Sequence, residues 1–358
     1  MKTLNIKLRL PFLVAFFIVV GNVLSAKTVD EFSKTWNKTF TVNPDAILDL
    51  DNKYGNVHIT TWKQHEISIK VIISVDVSNQ EKADKALNRI RIVDEASMEK
   101  VIIATRFDSN NSGKLNKKLQ VDYVVQMPVS NNLTLVNKFG DVYINQLNGR
   151  ADLKVAYGNL KCEILNNADN RVRLSFSSGK CTIGDFGSGS IEMKYSKLSI
   201  DQADKLDIDS KFSGLSIGSA TTIHCKSQYD KLEIERVGDL DLDGKFSGYI
   251  IGTVIRNLKL DLEYSGCEVN QISTNAGEIS IENSFGGVEL GFEEGTSYKL
   301  KAKGEFGDID YPVNNAILTT NERKSNSFFI IGVVGDKTSP EASVDISSKF
   351  GKVKLSYK

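Results

Sequence analysis

The sequence predicts an all-β chain, a single-chain parallel β-solenoid (β-helix) of about ten coils of 17–21 residues, with an N-terminal cap that contains one short helix. Three observations predict it. A short aromatic phrase recurs along the chain. Apolar residues alternate with a period of two on both sides of that phrase, which is strand patterning. The parity of the alternation flips at the phrase, where Gly or Ser-Gly stands.

The phrase reads KYGNV at Lys53, KFGDV at Lys138, AYGNL at Ala156, KYSKL at Lys194, KFSGL at Lys211 and QYDKL at Gln228. It continues as KFSGY at Lys245, EYSGC at Glu263, SFGGV at Ser284, EFGDI at Glu305 and KFGKV at Lys349. A degenerate copy, SSGKC, starts at Ser177. With the aromatic as position zero, the central copies centre on Phe139, Tyr157, Ser178, Tyr195, Phe212, Tyr229, Phe246, Tyr264, Phe285 and Phe306. Position −4 is apolar throughout, from Leu135 to Ala302, and so is position +3, from Val142 to Ile309. Each copy therefore reads as a strand, a corner and a second strand, with Gly supplying the unusual backbone angles at the corner. Stacked copies share one continuous core, and ten at ~4.8 Å each make a rod on the order of 45 Å long. The Ser178 copy has no ring at position zero, but Phe176 stands two residues earlier with the same parity. This predicts a stack of rings inside the core, with one ring displaced along its strand.

The ends differ from the middle. A first copy surrounds Tyr54, with Leu48, Leu50, Val57 and Ile59 in register. Residues 66–130 then leave the pattern: a strand over Ile67–Val77, an amphipathic helix over Gln80–Arg89, strands over Lys100–Phe107 and Val121–Gln126, and a polar loop over Asp108–Lys118. Residues 27–130 are thus expected to hold the first coil and an α+β cap that covers the open sheet edge. Residues 131–311 form the repeats, and 312–358 a C-terminal cap with the last coil around Phe350. Residues 1–26 read as a secretory signal peptide: Lys2, Lys7 and Arg9, then an apolar run over Leu10–Val20, then small residues up to Ala26. Cleavage there implies an exported protein, periplasmic or extracellular, without a membrane span.

Lys+Arg and Asp+Glu both number 45, so the balance offers no basic excess for nucleic acid. The three histidines, His58, His65 and His224, have no spacing that suggests a metal or a catalytic base. Cys162, Cys181, Cys225 and Cys267 occupy slots filled elsewhere by Leu, Ile or Val, which predicts small buried residues; Cys162 and Cys181 are the one pair close enough to consider for a disulfide. No phosphate loop or nucleophile elbow is present, so neither an enzyme nor a cofactor is expected. Charges form rows: Lys194, Lys211 and Lys245 at −1; Asp209, Asp243 and Asp261 at −3; Asp207 and Asp241 at −5. These eight residues are the candidate binding face. The rows should set opposite charges side by side, and a solvated face that discourages sheet association remains the alternative.

The segment LDLDNKYGNVHITTW, the helix-bearing excursion and the run of KFGDV-like copies resemble the putative-adhesin β-solenoid families of Bacteroidetes, domains of unknown function with head-GIN-like relatives. The resemblance implies an exported, non-catalytic solenoid that binds or scaffolds a glycan or protein at the cell envelope. Two other functions compete with it: a self-associating structural solenoid, and a carbohydrate-active enzyme on a parallel β-helix.

Overall fold

The computed structural model describes residues 31–108 and 119–358. The expected signal peptide and most of the expected polar loop lie outside these residues. The described chain is all-β apart from one α-helix and a 3-10 turn, and its 26 strands form one large, mostly parallel sheet that is not closed.

The repeats set the pairing. Strand segments before the aromatic pair with their counterparts one repeat on, as in Leu153 beside Val172 and Ile191 beside Ile208. Segments after it do the same: Leu198 lies beside Leu215, Leu215 beside Leu232, and Leu232 beside Tyr249. Two ladders result, joined at each corner, and the inward residues of both belong to one core. The residues that the sequence places at −4 and +3, Leu174 and Cys181 of the degenerate copy included, are all buried, as the alternation requires. In the middle, strands such as Lys197–Lys211 and Lys231–Lys245 run unbroken from one corner to the next.

At the N-terminal end, the Tyr54 unit sits between two sets of strands. Ile47–Lys53 pairs in parallel with Lys100–Phe107 on one side and with Asn132–Lys138 on the other. Antiparallel strands Glu31–Thr41, Glu66–Asp76 and Leu119–Pro128 extend the second ladder. The helix spans Gln80–Leu87; the Asn79 side chain accepts a bond from the Lys82 N–H as its cap, and Ala83 and Leu87 are its buried residues.

At the other end, sequence order and spatial order part. Ser343–Lys349 pairs with Glu278–Ser284 on one side and Tyr298–Glu305 on the other. Lys352–Tyr357 likewise lies between Gly287–Phe292 and Asp308–Asp310. The last repeat of the sequence is therefore inserted between the two before it. The antiparallel pair Ala316–Lys324 and Ser327–Val334 packs outside Tyr298–Glu305.

The corners correct three sequence expectations. Among the described residues, the twelve non-glycine residues with positive φ, between 51° and 66°, are all corner aromatics: Tyr54, Phe139, Tyr157, Phe176, Tyr195, Phe212, Tyr229, Phe246, Tyr264, Phe285, Phe306 and Phe350. The ring-bearing residue itself takes the left-handed backbone, and the glycine after it does not. That conformation turns the ring outward, so the rings do not fill the core. The corner of the degenerate copy is Phe176, not Ser178: the Phe176 N–H donates to the Lys194 carbonyl as the Tyr195 N–H does to Lys211. The two-residue displacement disappears, and extra residues between Phe176 and Cys181 absorb the difference.

The corner glycine has a different purpose, close approach. A Cβ on Gly140 would stand 2.0 Å from the Gly55 carbonyl oxygen, and one on Gly158 would stand 2.0 Å from that of Gly140. Buried Asn52 and Asn137 donate to the corner carbonyls of Gly55 and Gly140. In the middle repeats Ser takes the glycine's place. The Ser196, Ser213 and Ser247 hydroxyls donate to the carbonyls of Lys194, Lys211 and Lys245. They also accept the N–H of Ser177, Ser196 and Asp230 in the preceding repeats.

Candidate functional site: an exposed ring ladder beside a charged face

The corner rings stack in one continuous row. From Tyr54 the order is Phe139, Tyr157, Phe176, Tyr195, Phe212, Tyr229, Phe246, Tyr264, Phe285, Phe350 and Phe306. Neighbouring centroids lie 4.6–5.3 Å apart. The planes are within 16° of parallel. This spacing is the inter-strand distance of a sheet, so each ring's faces meet the rings above and below. From Phe139 onward the rings are 43–57% exposed, with their edges toward solvent.

An aromatic residue in the left-handed region costs about 1–2 kcal/mol, and a stacked ring pair returns about 0.5–1.5 kcal/mol. The ladder thus roughly offsets its own backbone cost. Tyr and Phe alternate strictly over the ten rungs from Tyr54 to Phe285. Among the described residues, the hydroxyls of Tyr157, Tyr195, Tyr229 and Tyr264 have no hydrogen-bond partner.

The predicted charged face lies beside the ladder, and pairing brings its residues together. Lys194 is in register with Lys211, and Gln228 separates Lys211 from Lys245. Asp207, His224 and Asp241 form one row; Asp209, Lys226, Asp243 and Asp261 form the next. The expectation that opposite charges would neighbour one another holds only in places. Lys245 reaches Glu263 at 2.8 Å and Lys259 reaches Asp241 at 3.4 Å. In other places parallel register sets like beside like, as at Lys194 and Lys211 or Asp243 and Asp261, where successive repeats contribute the same type at the same position. Asp243, Asp261 and Glu282 are consecutive, and desolvation together with those two neighbours holds the Asp261 carboxyl above its ordinary range. An open groove of about 360 Å³ lies over this face.

Sequence reasoning missed a second lysine row on the far side of the rings. Lys180 and Lys197 stand there, followed in register by Gly214, Lys231, Gly248 and Gly266. Beside them runs a groove of about 390 Å³, walled by Lys180, Lys197 and Lys231 over Cys181, Leu198 and Leu215. Its signal in the sequence is the residue two past each corner from Tyr195 onward, and four past Phe176, where the two extra residues intervene. The four cysteines are free and buried; burial pushes the Cys267 thiol up to about 12. Cys162 is in register with Ile183, so Cys181 stands two residues away along the ladder rather than opposite it. His58 stacks on Tyr143 at 4.5 Å. Among the described residues no group of three metal-ligating side chains occurs, and no helix is long and apolar enough to cross a membrane.

No protein-family model and no curated protein matches the chain. Solved structures do resemble it. One is a putative adhesin from Parabacteroides distasonis ATCC 8503, at 10% identity and a TM-score of 0.35, covering 91% of this chain and 97% of that one. A putative adhesin from Bacteroides fragilis NCTC 9343 shows 10% identity and a TM-score of 0.28, over 90% and 97%. A putative cell adhesion protein from Clostridium sporogenes ATCC 15579 shows 11% identity and a TM-score of 0.18, over 91% and 100%. The structural neighbours include putative adhesins of Bacteroidetes and Clostridium and a putative lipid binding protein of Parabacteroides distasonis. Likeness of this degree transfers no activity and no binding residue.

Proposed function

We propose that the chain is an exported, non-catalytic, adhesin-like β-solenoid that binds a glycan or protein at the cell envelope, with the ring ladder as its contact surface. The observation that carries this reading is the ladder itself. Exposed apolar surface that runs without interruption along a protein marks an interaction site more often than scattered exposed residues do. Gly or Asn would take the left-handed corner at lower cost, yet an aromatic occupies all twelve corners. The stacked repeats wind as coils of a solenoid, which makes the ridge straight, rigid and repetitive, properties suited to an extended partner.

Protease treatment of intact cells tests the location on which adhesion depends. Digestion of the protein by protease added outside is expected. Protection, with release by osmotic shock, would contradict an adhesin and leave a periplasmic scaffold.

A further inference from the structure

We propose that the ridge between Phe176 and Tyr264 binds an extended acidic polysaccharide, a β-1,4-linked uronate chain lying along the rings between two rows of lysines. The inference deepens the adhesin reading and rests on it.

Three observations lead to that ligand class. The first is charge. Lys194 and Lys211 flank the rings on one side, and Lys180 and Lys197 on the other. None of these four has a carboxylate within ion-pair distance among the described residues, whereas Lys231 and Lys245 are paired with Glu233 and Glu263. Four lysines without an ion-pair partner line one narrow strip at the rings, with the acidic rows of Glu192, Asp207 and Asp209 lying outside it, and such a strip suits a polyanion.

The second is period. Ring spacings of 4.9 and 5.1 Å set Tyr157 and Tyr195 about 10 Å apart, with Phe176 between them, and Tyr229 and Tyr264 continue the series. Free hydroxyls therefore recur on every second rung. An extended β-1,4-linked hexose chain also repeats every two sugars, with a length commensurate with that spacing. A bilayer surface has no such period. A nucleic-acid strand stacks its bases on ring faces, and here the neighbouring rings cover the faces.

The third is space. Gly248 and Gly266 have nothing within 4 Å of an added Cβ, and Gly214 has only the Lys197 Cγ at 3.7 Å. None of the three takes positive φ. Neither packing nor backbone geometry calls for glycine there, unlike at Gly140. Gly214 lines the groove beside the rings, and Gly248 and Gly266 continue its row with open space above them.

Affinity electrophoresis of the mature chain tests the proposal, with mannuronate-rich alginate as the probe. Polygalacturonate (an α-linked uronate), poly-glutamate, neutral β-glucan and vesicles of phosphatidylglycerol and phosphatidylcholine serve as comparisons. Alginate is expected to retard the protein most, with retardation weakening as salt rises. The triple variant K194Q/K197Q/K211Q should bind at least tenfold more weakly. G214V/G248V, which fills the groove at Gly214 and the open row beyond it at Gly248, should unfold at the wild-type temperature and bind several-fold more weakly. Y195F/Y229F keeps the rings, removes two hydroxyls and should lose about threefold. Four results would overturn the proposal: no retardation by alginate, equal retardation by poly-glutamate or polygalacturonate, tighter binding to vesicles, or unchanged binding by the lysine variant. If alginate fails but the protein still adheres to cells through the rings, the polysaccharide is wrong and the adhesin reading stands. If adhesion persists without the rings, the contact surface itself is wrong.

Discussion

The middle repeats and the flanking repeats solve one problem, turning a strand at an outward ring, in different ways. From Tyr195 to Tyr264 the residue after the ring is Ser or Asp, and a side-chain oxygen links each corner to the next. Around Tyr54, Phe139, Tyr157, Phe285, Phe306 and Phe350 it is Gly, and backbone meets backbone where a Cβ would not fit. The regions also differ in order. Middle repeats are neighbours in both sequence and space. In the flanks the Tyr54 unit lies between strands contributed by residues 100–142, and the Phe350 unit enters between the Phe285 and Phe306 units. The difference teaches that the ring is the constant part of the corner and the residue after it is the adjustable part.

Removing the inserted repeat should have the largest effect. A chain ending at Ala342 loses the strands that separate Glu278–Ser284 from Tyr298–Glu305. Hydrogen exchange should show lost amide protection over residues 278–334 and retained protection from Tyr195 to Tyr264, because repeats in such stacks depend on their nearest neighbours. Uniform loss would mean that the two regions fold as one unit.

The corner exchange comes next. Gly140→Ser brings a Cβ against the Gly55 carbonyl and should cost about 3 kcal/mol or more in denaturant titration. The reverse exchange, Ser213→Gly, removes one donor and one acceptor at an exposed corner and should cost about 1–2 kcal/mol. Equal costs would erase the distinction between the two corner types.

The ring comes third. Phe212→Ala forfeits two stacking contacts and keeps the backbone strain, for an expected loss of about 1–2 kcal/mol. Phe212→Gly relieves the strain and should be less destabilising than Phe212→Ala. The opposite order would show that strain is absent.

The smallest effect concerns Asp261. Its folded carboxyl holds a proton more tightly than the unfolded one, so its contribution opposes folding as pH rises through the carboxylate range. Asp261→Asn should raise the melting temperature slightly at neutral pH, by under about 1 kcal/mol at this exposed position. The gain should vanish in acid. A loss at neutral pH would remove the like-charge account of this row.

Much of the fold was legible. The alternation at −4 and +3 located the buried residues, because parity is a direct consequence of strand geometry. Lys100–Phe107 matched its predicted bounds, and the helix shortened at its C-terminal end to Leu87. The direction of the rings was not legible. Phe212 shares parity with inward Ile208, and only the left-handed backbone at the corner carries it outward. Nor was the place of Phe350, since its phrase is compatible with either side of the Phe306 unit. The candidate face was legible as rows of like residues. The unpaired state of Lys194 and Lys211 depended on register between repeats, which a single strand's pattern does not contain.

Hydroxyl-radical footprinting read by mass spectrometry tests the central claim most directly, that the corner rings form an exposed ladder. Tyr195, Phe212, Tyr229 and Phe246 should be labelled strongly, while buried Tyr123, Tyr249 and Tyr298 stay protected until the protein unfolds. Protection of the corner rings to the same degree as these three would contradict the account and return the rings to the core.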